Sequence, residues 1–189
     1  VTQVRLVLSD DPKANDRPRP ITVLGVDPGF AKLALVVVEF TPTSTRCRER
    51  RFVESSPSSG NDLARLDALA LAMLTVRATH CPDVIAYEDQ AGVFAGGVNQ
   101  NAASRRLLEV TGMVRMMAIR DCKPCFAVQA SAVKMAATGK ARASKSEVKA
   151  AIRNLFRWPS CNEHECDAAA VALAGLQLFL TQLKAKAAR

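Results

Sequence analysis

Residues 21–40, ITVLGVDPGFAKLALVVVEF, constrain the fold more than any other stretch of the chain. Two runs of branched and aliphatic residues are split by a single acid, Asp27, followed at once by Pro28-Gly29. Apolar runs of this length bounded by turn residues read as buried strands. They suit a sheet covered by the Ala/Leu-rich helices that the later sequence supplies. A carboxylate is costly to bury unless it is paired or binds a metal. Asp27 therefore either caps the turn or is delivered by a rigid strand to a place where negative charge is wanted. The first strand covers 21–27, the second 31–40, and RFVES (51–55), after a polar turn, supplies a third. Three consecutive strands with short connections form an antiparallel meander.

Helical spacing then takes over. Asn61 or Asp62 caps a helix whose Leu63, Leu66, Leu69, Ala70, Met73 and Leu74 fall on one stripe. DVIAYE (83–88) is a short apolar strand that again stops at an acid, Glu88. After a glycine-containing loop, residues 99–120 resume helix, with Asn99 and Gln100 at its polar start. Ala103, Leu107, Val110, Val114 and Met117 form its core stripe, with Met113 and Met116 beside them. The double width leaves room for a second helix face, hence a dimer contact. CFAVQA (125–130) reads as another strand. Ser144-x-x-Glu147 is a capping box opening a helix with Val148, Ile152, Leu155 and Phe156 inward. Its other face carries Lys145, Lys149, Arg153 and Arg157, each four apart, as a basic ridge. A final helix spans about 163–183, capped through Asn162-x-x-Glu165 or Ser160-x-x-Glu163. The order βββ-α-β-α-β-α-α is a mixed α/β arrangement with the meander first.

The chain of 189 residues is read as one domain over 21–189, preceded by a flexible leader, 1–20, that ends in the polar, proline-rich SDDPKANDRPRP. No apolar run approaches the length needed to cross a bilayer, and no secretory pattern is visible. Lys plus Arg number 26 against 18 Asp plus Glu, a net charge of +8. Between 132 and 158, Lys134, Lys140, Arg142, Lys145, Lys149, Arg153 and Arg157 face a single acid, Glu147. Charge clustered in this way favours a polyanionic partner. Cys122, Cys125, Cys161 and His164 imitate a zinc-binding spacing. The first pair straddles a helix end and a strand start, however, so six reduced cysteines in a cytoplasmic protein are the expectation.

Asp27 and Glu88 each end a predicted strand. If those strands are parallel neighbours, both carboxylates emerge at one sheet edge. In the last helix, Glu163 and His164 stand four and three residues before Asp167, so all three share a helix face. Clustered carboxylates repel and cost stability unless a cation joins them. Such a set of oxygens is what Mg²⁺ or Mn²⁺ accepts, with phosphate oxygens completing the shell. Taken singly, each acid is an ordinary turn or helix-start residue. Their joint occurrence with a basic stretch points to metal-assisted phosphodiester hydrolysis.

On these residues the chain resembles the RuvC family of Holliday-junction endonucleases. The matching pieces, in family order, are LGVDPGFAKLALVVVE (24–39), DVIAYEDQ (83–90), SAVKMAATGKARASKSEVKAAIRNLF (131–156) and HECDAAAVALA (164–174). The resemblance implies a ribonuclease-H-like α/β fold, in which an antiparallel meander and then parallel strands make a five-stranded mixed sheet flanked by helices. It makes Asp27, Glu88, His164 and Asp167 the metal-binding catalytic residues of a site holding two Mg²⁺, for which Mn²⁺ substitutes. It places Lys145 at the scissile phosphate and Lys134, Lys140, Arg142 and Lys149 on the DNA backbone. Phe94 stands for the family's aromatic after the second acid, displaced by DQAG. The loop 89–98 is lengthened, and the leader has no counterpart.

The activity so implied is paired hydrolysis of phosphodiesters at a four-way DNA junction by a homodimer, with a branch-migration helicase as a further partner and no membrane role. The location implied is the cytoplasm at the nucleoid, with a phage or organellar source left open. Two other functions fit the same residues: a non-catalytic junction-binding module, and a related nuclease for other branched or RNA-containing substrates. GVDPGFAK also resembles the phosphate loop of actin-like kinases, but those need a second such domain, for which this chain is too short.

Overall fold

The two apolar runs pair as the hairpin their sequence dictates: β1 (Ile21–Asp27) lies antiparallel to β2 (Lys32–Phe40), with Asp27 directly opposite Ala34. The computed structural model describes residues 19–89 and 102–188. Most of the expected leader, and residues 90–101 with Phe94, Asn99 and Gln100, lie outside the described residues. Strand β3 (Thr45–Glu54) pairs antiparallel with the outer side of β2. On the other side, β4 (Val84–Glu88) lies parallel to β1, and β5 (Cys125–Val128) lies parallel to β4. The sheet order is therefore β3-β2-β1-β4-β5.

Helices cover both faces. On one, α1 (Asp62–His80) and α2 (Ala102–Arg120) pack Leu69, Met73, Val76, Val110, Val114 and Met117 against Leu24, Leu35 and Ile85. On the other lie α3 (Ala130–Thr138), α4 (Lys145–Phe156) and α5 (Glu163–Ala187). The alanines of α5 let that helix lie directly on the strands. A Cβ added to Gly25 of β1 would stand 2.1 Å from the carbonyl oxygen of Ala168. Only glycine permits so close an approach. By length and composition α5 would suffice to cross a membrane, contrary to the sequence expectation, yet half of that stretch is buried in the fold.

Four other expectations need correction. First, β3 begins at Thr45, six residues before the predicted start. Its sequence TRCRERRFVE is too charged to read as a strand, but an edge strand places such side chains in water and so resists unwanted pairing. Second, the stripe on α1 is rotated: Arg65, Ala72 and Val76 are buried, whereas Leu63 is 76% and Leu74 43% exposed. Third, α3 was not anticipated. The strand before it stops at Val128, and the helix ends at Gly139, whose φ of 77° suits a left-handed cap. Fourth, Cys161 and Cys166 are joined as a disulfide, and Cys47, Cys81, Cys122 and Cys125 are free. The N-capping turn at Asn162 folds the chain back over the first turn of α5, which brings the two Cα atoms to 6.6 Å.

The predicted caps are present. Asn61 Oδ1 accepts from the amide of Ala64, and Ser144 with Glu147 forms the capping box of α4. Asn162 with Glu165 forms that of α5, which decides between the two starts the sequence allowed.

Candidate active site

Parallel pairing of β1 with β4 registers Val26 with Tyr87, so the next residues, Asp27 and Glu88, leave the sheet side by side at one edge. The turn after Asp27 is held from behind. Ser55 Oγ donates to the carbonyl of Phe30 (2.8 Å), and buried Arg65 donates to both Ser55 Oγ (3.0 Å) and Ser55 O (2.9 Å). The Arg65 guanidinium also covers the Phe30 ring at 4.1 Å. These bonds fix the turn on α1, so Asp27 is carried on rigid backbone.

The third acid arrives with α5. His164 Nδ1 lies 2.7 Å from Asp27 Oδ2, which pins the first turn of the helix to the end of β1. One face of the imidazole is covered by Phe52 of β3, whose ring stacks on it at a centroid distance of 5.7 Å and 13° from parallel. Asp167 stands one turn further along α5. Lys145, the first residue of α4, forms an ion pair with Glu163 and also attracts Asp27, Glu88 and Asp167.

The electrostatics show how closely the acids crowd. Burial, then the charges of Asp27 and Asp167, push the Glu88 carboxyl up to about 7, against partial relief from Lys145 and Lys134. Burial and Asp27 raise Asp167 to about 6. Burial also raises Asp27, although the His164 hydrogen bond and the charges of His164 and Lys145 oppose it. Glu163 is held below the usual carboxylate range by its bond to Lys145, which is itself raised by that bond.

Asp27, Glu88, His164, Asp167 and Lys145 are thus brought together. Lys134 of α3 acts on Glu88, and Lys149 of α4 acts on Glu163. Lys140 and Arg142, in the α3–α4 connection, are exposed, and Lys140 reaches Glu147 at 3.3 Å. Phe94 lies outside the described residues. Among the described residues, no group of three or more His, Cys, Asp or Glu side chains is arranged to hold a metal ion as it stands, and this applies to the zinc-like cysteine set as well. The donor chemistry nevertheless fits a hard divalent cation: burial raises the proton affinity of all three carboxylates, the charge of Asp27 adds to it at Glu88 and Asp167, and a cation among them would replace those protons. Phe52, Arg50 and Arg65 were missed at the level of sequence. Each acts across a long chain separation, and no local spacing marks it.

Residues 23–175 match the family described as "Crossover junction endodeoxyribonuclease RuvC". Among solved structures, Thermus thermophilus RuvC in complex with Holliday junction substrate is similar at 27% identity and a TM-score of 0.71, over 82% of this chain and 92% of that one. A second Thermus thermophilus RuvC structure gives 26% identity and a TM-score of 0.70, over 87% and 97%. The yeast mitochondrial Holliday junction resolvase shares the fold at 15% identity and a TM-score of 0.58, over 87% of this chain and 80% of that one. No curated protein sequence matches the chain.

Proposed function

The chain belongs to the RuvC family of crossover junction endodeoxyribonucleases, the metal-dependent Holliday-junction resolvases, and from that premise we propose which of its residues perform the cut. The observation that carries the assignment is the convergence of Asp27, Glu88 and Asp167 at a sheet edge flanked by Lys145, where burial and then the charge of Asp27 raise both Glu88 and Asp167. So costly an arrangement of like charges is expected where a cation and a phosphate are to be received.

Asp27, Glu88 and Asp167, with His164, would hold two Mg²⁺ ions, for which Mn²⁺ substitutes. When bound, the ions supply Lewis-acid activation of water and of the phosphodiester. His164 has one ring nitrogen committed to Asp27, which leaves Nε2 to complete the shell or orient a water. Lys145 sits at the N-terminus of α4, where free amides also favour an anion. Exchanging its Glu163 partner for a phosphate oxygen would let it steady the charge that develops on the transferred group. Lys134, Lys140, Arg142 and Lys149 grip the backbone without reading sequence. Phe94 is assigned a stacking role against an unpaired base.

Two copies would make paired cuts on opposing strands, with a branch-migration helicase supplying mobile junctions. The place of action is the cytoplasm, at the nucleoid. The test is a labelled four-way junction beside a linear duplex, in Mg²⁺ and in EDTA. Symmetric nicks in the junction alone, lost in EDTA and lost in Asp27→Asn while junction binding persists, are the expected result. Turnover retained by Asp27→Asn would remove Asp27 from the mechanism. Tight binding without cleavage in any divalent ion would leave a junction-holding module.

A further inference from the structure

We propose that Phe52, on the edge strand β3, is a positioning residue that sets the His164 imidazole against Asp27; this rests on the reading of His164 as part of the catalytic centre. The sheet register explains how so remote a residue reaches the site. Phe52 pairs with Ala34, and Ala34 pairs with Asp27, so the three lie in one row across β3, β2 and β1 and share a face. That is the face against which α5 packs. The middle member is the smallest, which leaves room between its two neighbours. His164 takes both of them: its ring lies nearly parallel to that of Phe52 at 5.7 Å, and its Nδ1 meets Asp27 Oδ2 at 2.7 Å. Offset stacking at this distance is an attractive geometry for two rings. A ring held on one side and hydrogen-bonded at one edge has a single orientation left.

A bulge in β3 makes the arrangement possible. Val37 pairs with Glu49 and Val38 with Cys47, so Arg48 is the extra residue. Past the bulge the strand's faces exchange parity, because side chains alternate with period two. Arg50 and Phe52 therefore join Cys47 on the side of α5, while Glu49 turns to the other face and meets His80 of α1. Arg50 secures the backbone that leads into α5. Its guanidinium donates to Ser160 O (2.9 Å), covers the Trp158 ring (4.5 Å) and pairs with the Glu165 carboxylate (3.7 Å). β3 thus holds the approach to α5 through Arg50 and the site's imidazole through Phe52.

The experiment compares Phe52→Leu, Phe52→Tyr, His164→Ala and the Phe52→Leu/His164→Ala double variant in two measurements. Junction cleavage separates kcat from KM. The aromatic ¹H–¹³C spectrum follows His164, whose signals are assigned by their loss in His164→Ala, since the chain has only 2 histidines. Phe52→Leu is expected to move the His164 signals by removing the ring current and to lower kcat about tenfold at unchanged KM. Phe52→Tyr, which keeps the ring, restores both. In the His164→Ala background, Phe52→Leu costs nothing further, because its effect passes through the imidazole. Wild-type kcat in Phe52→Leu, with kcat lowered in His164→Ala, overturns the positioning role and leaves the catalytic reading intact. An equal loss in both backgrounds reduces Phe52 to a structural contact. Wild-type kcat in His164→Ala would overturn both readings.

Discussion

Glu88 shows at a single residue what the site asks of the fold. Its carboxyl rises from an ordinary 4.5 to about 7, chiefly through burial and then through Asp27 and Asp167. A group whose folded-state value lies above its unfolded one binds its proton more tightly when folded. Stability is therefore lost as pH climbs from about 4.5 to about 7, and the cost stands in full above that window. Glu88→Gln should raise stability in EDTA at pH 8 by on the order of 1–2 kcal/mol, after discounting the shift for the water that reaches this half-buried edge, and leave it unchanged at pH 4. Urea titrations at the two pH values measure the difference. An equal effect at both would mean that the gain is not electrostatic. Mg²⁺ should narrow the same gap in the unmutated protein. At this scale the sequence was largely readable. Asp27 and Glu88 are acids that interrupt apolar strands, and Asp167 opens an alanine run, so each is conspicuous locally. Phe52 is not, because its role depends on a bulge and on a partner far along the chain.

Among the elements, α5 has the least freedom. Its alanines rest on β1 so closely that a methyl group on Gly25 would meet the Ala168 carbonyl at 2.1 Å and the Ala172 amide at 2.7 Å, both of them backbone atoms. Gly25→Ala must therefore lift the helix, at a cost of about 1–3 kcal/mol. Because His164 and Asp167 ride on its first turns, cleavage should fall along with stability. Gly112 of α2 has nothing within 4 Å of an added Cβ, and Gly112→Ala should gain up to about 1 kcal/mol and keep activity. Thermal melts and junction assays on the pair check both statements. If Gly25→Ala matched the parent in both, the close packing of α5 would not matter to the site. The small-residue run after Asp167, AAAVALAG, is legible in the sequence and is what such close docking requires. What sequence could not supply was α3, a nine-residue helix at a strand's end, or the true start of β3. In both cases tertiary pairing overrides a weak local pattern. The rotated stripe of α1 has a related cause: Arg65 is buried because Ser55 and Phe30 receive its guanidinium, and hydropathy gives no sign of that.

Across the whole molecule, apolar side chains are left in water on helices of both faces, most of them on α1 and α2. The basic residues of α3 and α4 flank the acids on one face of the sheet, and α1 and α2 cover the other. Leu63 and Leu71 of α1 are 76% and 64% exposed, and Met116 and Ile119 of α2 are 57% and 65% exposed. These residues are the surplus that remained after each helix filled its core positions, and the double-width stripe of α2 is where the sequence suggested a dimer. A four-way junction has two-fold symmetry, and one self-complementary patch is enough to give a protein the same symmetry. A second copy seated on this face would bury that surplus and bring two sets of acids into one assembly. Leu71→Glu/Ile119→Glu would then carry like charges into the interface and should convert a dimer to monomers in sedimentation. Its junction products should shift from paired cuts to single nicks, while the core contacts of Leu69 and Val114 preserve the fold. A variant that still sediments as a dimer and still cuts in pairs would place the two-fold contact on another surface.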